Sequence, residues 1–197
     1  MIDYTLTQAS DVKEALNITS STYDTLLQKL VYGVSEFLQG YCNRNFKEQT
    51  ITEYYDGETL GKDLVLRSFP VASITSIAYK SGTPTAPIWN TINADTYELD
   101  TVAGIVRHYG LPKGFQNIKV VYVAGYKIDF ANRYTAANHT LPHDLSMVAT
   151  QLVSKIFDTR FSQGKINESV EGQSVNWTMA LTDEQKKILG KYQVSHL

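Results

Sequence analysis

The chain has 197 residues and a single cysteine, Cys42. One thiol closes no internal disulfide and builds no cysteine-based zinc site, which excludes disulfide-stapled scaffolds and zinc modules. An excess of charge of one sign is also lacking. Lys and Arg number 18 against 20 Asp and Glu, a formal charge of −2. That excludes the basic surface with which nucleic-acid binders neutralise phosphates. No stretch approaches the roughly 18 apolar residues that a membrane span needs, so no membrane partner is expected. The first residues, Met1-Ile2-Asp3-Tyr4, show no basic region followed by an apolar run, and a chain without a secretory leader is expected. Asn-x-Ser/Thr triplets, such as those at Asn17 and Asn176, then carry no meaning as glycosylation sites. What is present is ample apolar material, 43% of residues, enough for a proper core and against disorder throughout.

Catalytic signatures are missing as well. Neither a Gly-x-Ser-x-Gly elbow nor a Gly-x-x-x-x-Gly-Lys-Ser/Thr phosphate loop occurs. His139, His143 and Asp144 could be drawn as a metal site. Pro142 interrupts the turn between the two histidines, so their rings need not face together and no metal is expected. Cys42 lies inside an apolar helical pattern and reads as a small buried hydrophobe, with nothing to lower its pKa. The acids Asp56 and Glu58, and Asp95, Glu98 and Asp100, fall at turns, where turn chemistry and solubility explain them. The expectation is no enzyme and no cofactor.

Hydrophobic spacing divides the chain. Residues 7–16 read as a short helix capped by Thr7 or Ser10. Residues 22–42 form the clearest helix, with Leu26, Leu27, Leu30, Val31, Val34, Phe37, Leu38 and Tyr41 at offsets of three and four. Gly33 and Gly40 weaken it, and close packing against a neighbour is expected there. From 49 to 125 the period falls to two, with about six short strands and frequent turns, the pattern of an antiparallel sandwich or barrel. Its strongest strand, 118–124, is apolar on both faces and should lie centrally. Residues 83–96 and 127–140 read as loops. Helical spacing returns from Pro142 to about Phe161, apolar on most sides and therefore central in a bundle. Gly164 is expected to terminate it. A capping box, Thr182-Asp183-Glu184-Gln185, opens a last helix to about Gln193.

The fold class expected is α+β. A small helical bundle (7–42 and 142–161) carries an antiparallel β insertion (49–125) between its second and third helices. A C-terminal arm with a short helix (163–197) completes a single domain over 1–197. The last helix offers only Ile188, Leu189 and Tyr192 as an apolar stripe. A stripe that narrow predicts either a helix folded back weakly on its own bundle or one docked on another polypeptide, and docking is favoured.

Leu64-Val-Leu-Arg-Ser-Phe-Pro-Val-Ala-Ser-Ile-Thr-Ser-Ile77 resembles the signature strand pair of the head–tail connector, or adaptor, proteins of tailed double-stranded DNA bacteriophages. Tyr97-Glu-Leu-Asp100 with Gly104-Ile-Val106 is similar to the family's next hairpin. Pro112-Lys-Gly114 with Asn117-Ile-Lys-Val-Val-Tyr-Val-Ala-Gly-Tyr126 is similar to its most recognisable strand. Leu141-Pro142 and Asp144-Leu145 match the start of its central helix. Residues 169–177, Leu181-Thr182 and 188–192 resemble its C-terminal arm. The resemblance implies a structural virion protein of the head–tail junction, assembled in the host cytoplasm. It implies a dodecameric ring beneath the portal, compatible with a monomer in isolation, through whose channel DNA passes without sequence-specific binding. The implied partners are the portal and a downstream neck or tail protein. Val175, Trp177, Leu181, Ile188, Leu189 and Tyr192 are the expected portal contacts. The alternatives are a tail-completion or tail-terminator protein and, from another class, a hydrolase or glycan-binding module using the β insertion.

Overall fold

The computed structural model describes residues 4–57, 63–83, 85–108, 110–134, 137–159, 167–170, 173–176 and 181–194. In chain order the elements begin with α1 (Ala9–Ala15), α2 (Asp24–Cys42), β1 (Gln49–Gly57), β2 (Leu64–Val65) and β3 (Val71–Thr83). β4 (Ala86–Thr91), β5 (Tyr97–Asp100), β6 (Ile105–His108) and β7 (Gly114–Ala124) follow. α3 (His143–Asp158), β8 (Asn167–Val170), β9 (Gln173–Asn176) and α4 (Asp183–Gly190) complete the series. The chain is α+β, with β1 to β7 inserted between α2 and α3 and the β8–β9 pair between α3 and α4. Two compact units result, one from Met1–Asn43 with Ile128–Leu197 and the other from Arg44–Lys127.

In the helical unit, α2 and α3 pack together and α1 and α4 pack against α3. α3 is buried along Leu145, Val148, Ala149, Leu152, Val153 and Phe157, as its nearly all-round apolar pattern predicts. α2 buries Leu27, Val31, Val34, Leu38 and Cys42. Ser35 sits among them because its hydroxyl donates to the Val31 carbonyl (2.7 Å) and accepts from the Leu6 amide (2.9 Å). A buried hydroxyl costs free energy only when left unbonded. The expected caps of α1 are corrected: its first flanking residue is Gln8, with no side-chain cap. Thr7 is buried instead, and its hydroxyl meets that of Thr150 on α3 at 2.6 Å. α3 stops at Asp158 with a right-handed residue, Thr159, after it; Gly164 lies outside the described residues.

The β unit holds two antiparallel sheets of strand order β1-β7-β3-β4 and β2-β6-β5. β7 has a partner on both sides, the central position its two apolar faces call for. Ile77, Ile118, Val120 and Tyr122 from the larger sheet join Leu64, Leu66 and Val106 in one buried cluster, the core of a small sandwich. A buried polar knot sits at its edge. The Glu53 carboxylate accepts from the Tyr55 hydroxyl and from the Arg67 amide (3.3 Å), and the Tyr122 hydroxyl accepts from the Ser68 amide (3.2 Å). Burial, followed by the nearby Glu53 carboxylate, pushes both phenols above their ordinary range, so they stay neutral.

Two glycines have no substitute. At Gly57 a Cβ would lie 1.9 Å from the Pro112 carbonyl oxygen. The Gly57 amide there donates to Asn117 Oδ1 (2.7 Å), while Asn117 Nδ2 donates to Pro112 (2.7 Å). Gly125, in the motif after β7, has φ +113°, and a Cβ would meet the Lys47 carbonyl oxygen at 2.6 Å.

The segment 83–96 departs from its expected loop character. β3 runs to Thr83 and returns as β4, and a 3-10 turn follows at Ala94–Thr96. β3 leaves β7 after Tyr79, so Lys80–Thr83 and Ala86–Trp89 pair only with each other, as a projecting hairpin. In 127–140 the described residues include a 3-10 turn, Phe130–Asn132, capped by Asp129.

Candidate assembly surfaces

The C-terminal helix corrects the premise that its stripe cannot hold it. Leu181 and Leu189 are 7% and 0% exposed, sealed against the chain's own helical unit. The capping box forms as read, with the Thr182 hydroxyl accepting from the Gln185 amide. Further holds come from distant positions. The Tyr192 hydroxyl donates to Asp144 Oδ1 at 2.6 Å, and Lys191 Nζ lies 3.4 Å from the other carboxylate oxygen. Asp144 stands in the first turn of α3, where the helix dipole favours its charge. The chain after α4 serves the C-terminus of α2. Gln193 Nε2 donates to the Tyr41 carbonyl (3.2 Å) and the Val194 amide to the Cys42 carbonyl (3.1 Å). Those carbonyls are among the acceptors a helix end leaves over. α4 is therefore a clasp across the end of α2 and the start of α3. Cys42 is fully buried, its thiol 3.8 Å from the Leu189 carbonyl oxygen.

Ile188 and Tyr192 are half-buried, at the rim of this clasp. Between α3 and α4 the strands β8 and β9 pair antiparallel, Val175 opposite Glu168. Trp177 lies outside the described residues. Of the six expected contacts, Leu181 and Leu189 lie inside the bundle with Ile188 and Tyr192 beside them, and Val175 lies in the β8–β9 hairpin.

α2 presents a second apolar face. At 100° per residue, Tyr41, Leu30, Phe37, Leu26, Gly33 and Gly40 fall in one sector about 100° wide, with no polar or charged residue inside it. Leu26 and Phe37 are 38% and 40% exposed, and the Phe37 and Tyr41 rings lie 6.3 Å apart. The close packing expected at Gly33 and Gly40 is absent within the described chain, since a Cβ at either would meet nothing within 4 Å.

In the β unit the projecting hairpin exposes Ile88, and the Trp89 ring sits tilted beside that of Tyr54 (5.8 Å between ring centres) with Lys119 Nζ 4.7 Å from the Trp89 ring centre. Phe115, beside Gln116 with its positive φ, is 77% exposed. These aromatics on exposed strand ends suit protein contacts, where such rings bring area at little entropic cost. A cleft of about 440 Å³ opens between the sheets, lined by Leu64, Ile77, Tyr79, Tyr97, Val106 and His108 among others. Its described lining holds no carboxylate. Glu53, the buried carboxylate, is taken up by Tyr55 and Arg67.

His139 is buried, and its Nδ1 accepts from the Asp129 amide at 3.1 Å. Burial holds its imidazole below the ordinary histidine range. Asp144, the third member of the drawn metal set, is engaged with Tyr192 and Lys191. Among the described residues no group of three or more His, Cys, Asp or Glu side chains is placed to hold a metal ion. No helix there is long and apolar enough to cross a membrane.

Comparison with known structures places this geometry among particle necks. A chain from the neck of an empty GTA particle computed with C6 symmetry superposes with a TM-score of 0.59 at 12% identity, covering 96% of this chain and 90% of that one. A chain from the neck of a native GTA particle computed with C12 symmetry gives 0.55 at 12% identity, covering 100% and 97%. One from the virion of a native gene transfer agent particle gives 0.56 at 12% identity, covering 96% and 90%. At that identity the likeness establishes the fold. No curated protein sequence matches the chain. The head completion protein profile matches residues 5–194, nearly the whole chain, and the chain therefore belongs to the head completion protein family, structural proteins of the head–tail neck.

Proposed function

We propose that this chain docks beneath the portal of a filled head, joins copies of itself into a ring that continues the DNA channel, and offers a surface to the next neck or tail protein. The observation that carries the reading is the family match over residues 5–194. The similar folds come from necks computed with sixfold and twelvefold symmetry, which supports a ring, since closed point groups are the rule for repeated subunits. A formal charge of −2 suits a channel wall past which DNA slides, because few phosphates would be neutralised. The role is one of assembly rather than catalysis.

The portal contact is assigned to the segment between α3 and α4. It is rooted at both ends in the bundle, at Asp158 and at Asp183, and carries the β8–β9 hairpin. Val175 and Trp177 are its proposed apolar contacts, with Ile188 and Tyr192 as an adjoining rim. Leu181 and Leu189 act one step back, by holding α4 in place. Removing everything after Ser162 would strip the clasp from the bundle and confuse folding with binding. The clean variant is Val175→Ser with Trp177→Ala in the full chain, tested by co-sedimentation with the cognate portal. Loss of co-sedimentation with unchanged melting supports the assignment, and undiminished binding overturns it.

A further inference from the structure

From the outer face of α2 we infer the lateral surface by which neighbouring copies of this chain meet in the ring; the inference rests on the ring reading above. Each glycine lowers the propensity of a helix relative to alanine, and α2 carries two at a spacing of seven, which places both on one flank. Neither gains packing among the described residues, for a Cβ at Gly33 or Gly40 would meet nothing within 4 Å. A bare backbone on an exposed helix flank is useful where another backbone or a bulky side chain approaches closely. Leu26, Leu30 and Phe37 lie in the same sector, and no charge interrupts it. Lys29 and Glu36, the charged residues nearest in angle, flank the glycine side of the sector and would sit at its rim.

The sector extends from Leu26 to Tyr41, about 22 Å at 1.5 Å per residue. The absence of positive charge argues against DNA as its occupant. A second copy fits. In a cyclic ring every subunit must bury two lateral faces against identical neighbours, and those faces differ, because a head-to-tail contact joins unlike patches. An uncharged, glycine-notched helix flank supplies one such face. The opposite flank of α2, where Tyr32 and Gln28 border a cleft with Thr5, Gln8 and Ser10, presents a polar surface of different character, as a head-to-tail arrangement requires.

The test places the photoreactive residue p-benzoylphenylalanine at position 37 in assembled necks. The expected product on illumination is a dimer of this chain, with the cross-link mapped to a second copy. Gly33→Leu and Gly40→Leu, each adding a side chain into open space, should melt at or above the parent temperature, yet enter necks about tenfold less or worse. Cross-links confined to a different virion protein, or full incorporation of both leucine variants, overturn the inference. Counting copies per neck by imaging separates the two levels. Many copies with position 37 linked elsewhere removes this surface and leaves the ring; a single copy per neck removes both.

Discussion

Replacing Leu189 by alanine probes whether α4 belongs to the bundle. The side chain is fully buried, and emptying such a site costs about 2–5 kcal/mol, lost transfer energy plus the cavity left behind. An isolated helix of eight residues is far below the length that holds itself in water, so α4 exists through its docking and the loss falls on the helical unit. For a unit the size of the helical one each kcal/mol moves Tm by about 4 °C, which makes a fall of roughly 8–20 °C the expectation. Tyr192→Phe removes a hydroxyl donated to the Asp144 carboxylate and should cost about 1.5–3 kcal/mol. Lys191→Ala, breaking a pair whose side chains are 64% and 31% exposed, should cost under about 1 kcal/mol. The helical and β units need not melt together, so the transition to follow is the far-UV signal of the helices, in heat and in urea. A shift for Leu189→Ala within about 0.5 kcal/mol of zero, the range of ordinary surface changes, would refute the clasp.

Gly57→Ala should be among the most destabilising single substitutions in the β unit, because the added carbon meets the Pro112 carbonyl oxygen and Asn117 at once; chemical denaturation would register several kcal/mol, while a change under about 1 kcal/mol would contradict the geometry. Arg44, 5% exposed, faces the Phe69 ring at 4.2 Å with Phe46 and Tyr126 nearby. Arg44→Lys loses the planar stacking surface and should cost about 1–2 kcal/mol, again read by denaturation. His139 is held in its neutral form by burial. Its contribution is full above the ordinary histidine value of about 6.5 and is lost as pH falls through and below it. Melting of the parent should therefore drop from pH about 6.5 downward more steeply than that of His139→Leu; parallel curves would contradict the assignment.

What could be read without coordinates follows the physics of each signal. α2, α3 and β7 bury long periodic faces, and spacing alone locates them. β4 escapes because Pro87 and the preceding Thr-Pro-Thr read as a loop; the strand tolerates proline because it lies at the sheet edge, with a row of backbone groups unpaired. The anchoring of α4 escapes for a different reason. Its narrow stripe is legible, but its partners are the Asp144 carboxylate and the carbonyls of Tyr41 and Cys42, which no local pattern links to residues 192–194. Gly33 and Gly40 read as packing sites, yet a Cβ at either meets nothing within 4 Å, because their flank of α2 faces away from the described core. The start of α1 misleads because Thr7, a good cap by type, is claimed by Thr150, 143 residues away.

The most direct measurement is electron cryomicroscopy of filled heads assembled with the cognate portal and this chain. The expected result is a ring of copies directly beneath the portal, with Val175 and Trp177 against portal density. Density for the chain only at the far end of tail tubes, or a portal left bare by a well-folded chain, would contradict it and return the protein to a tail-terminating role.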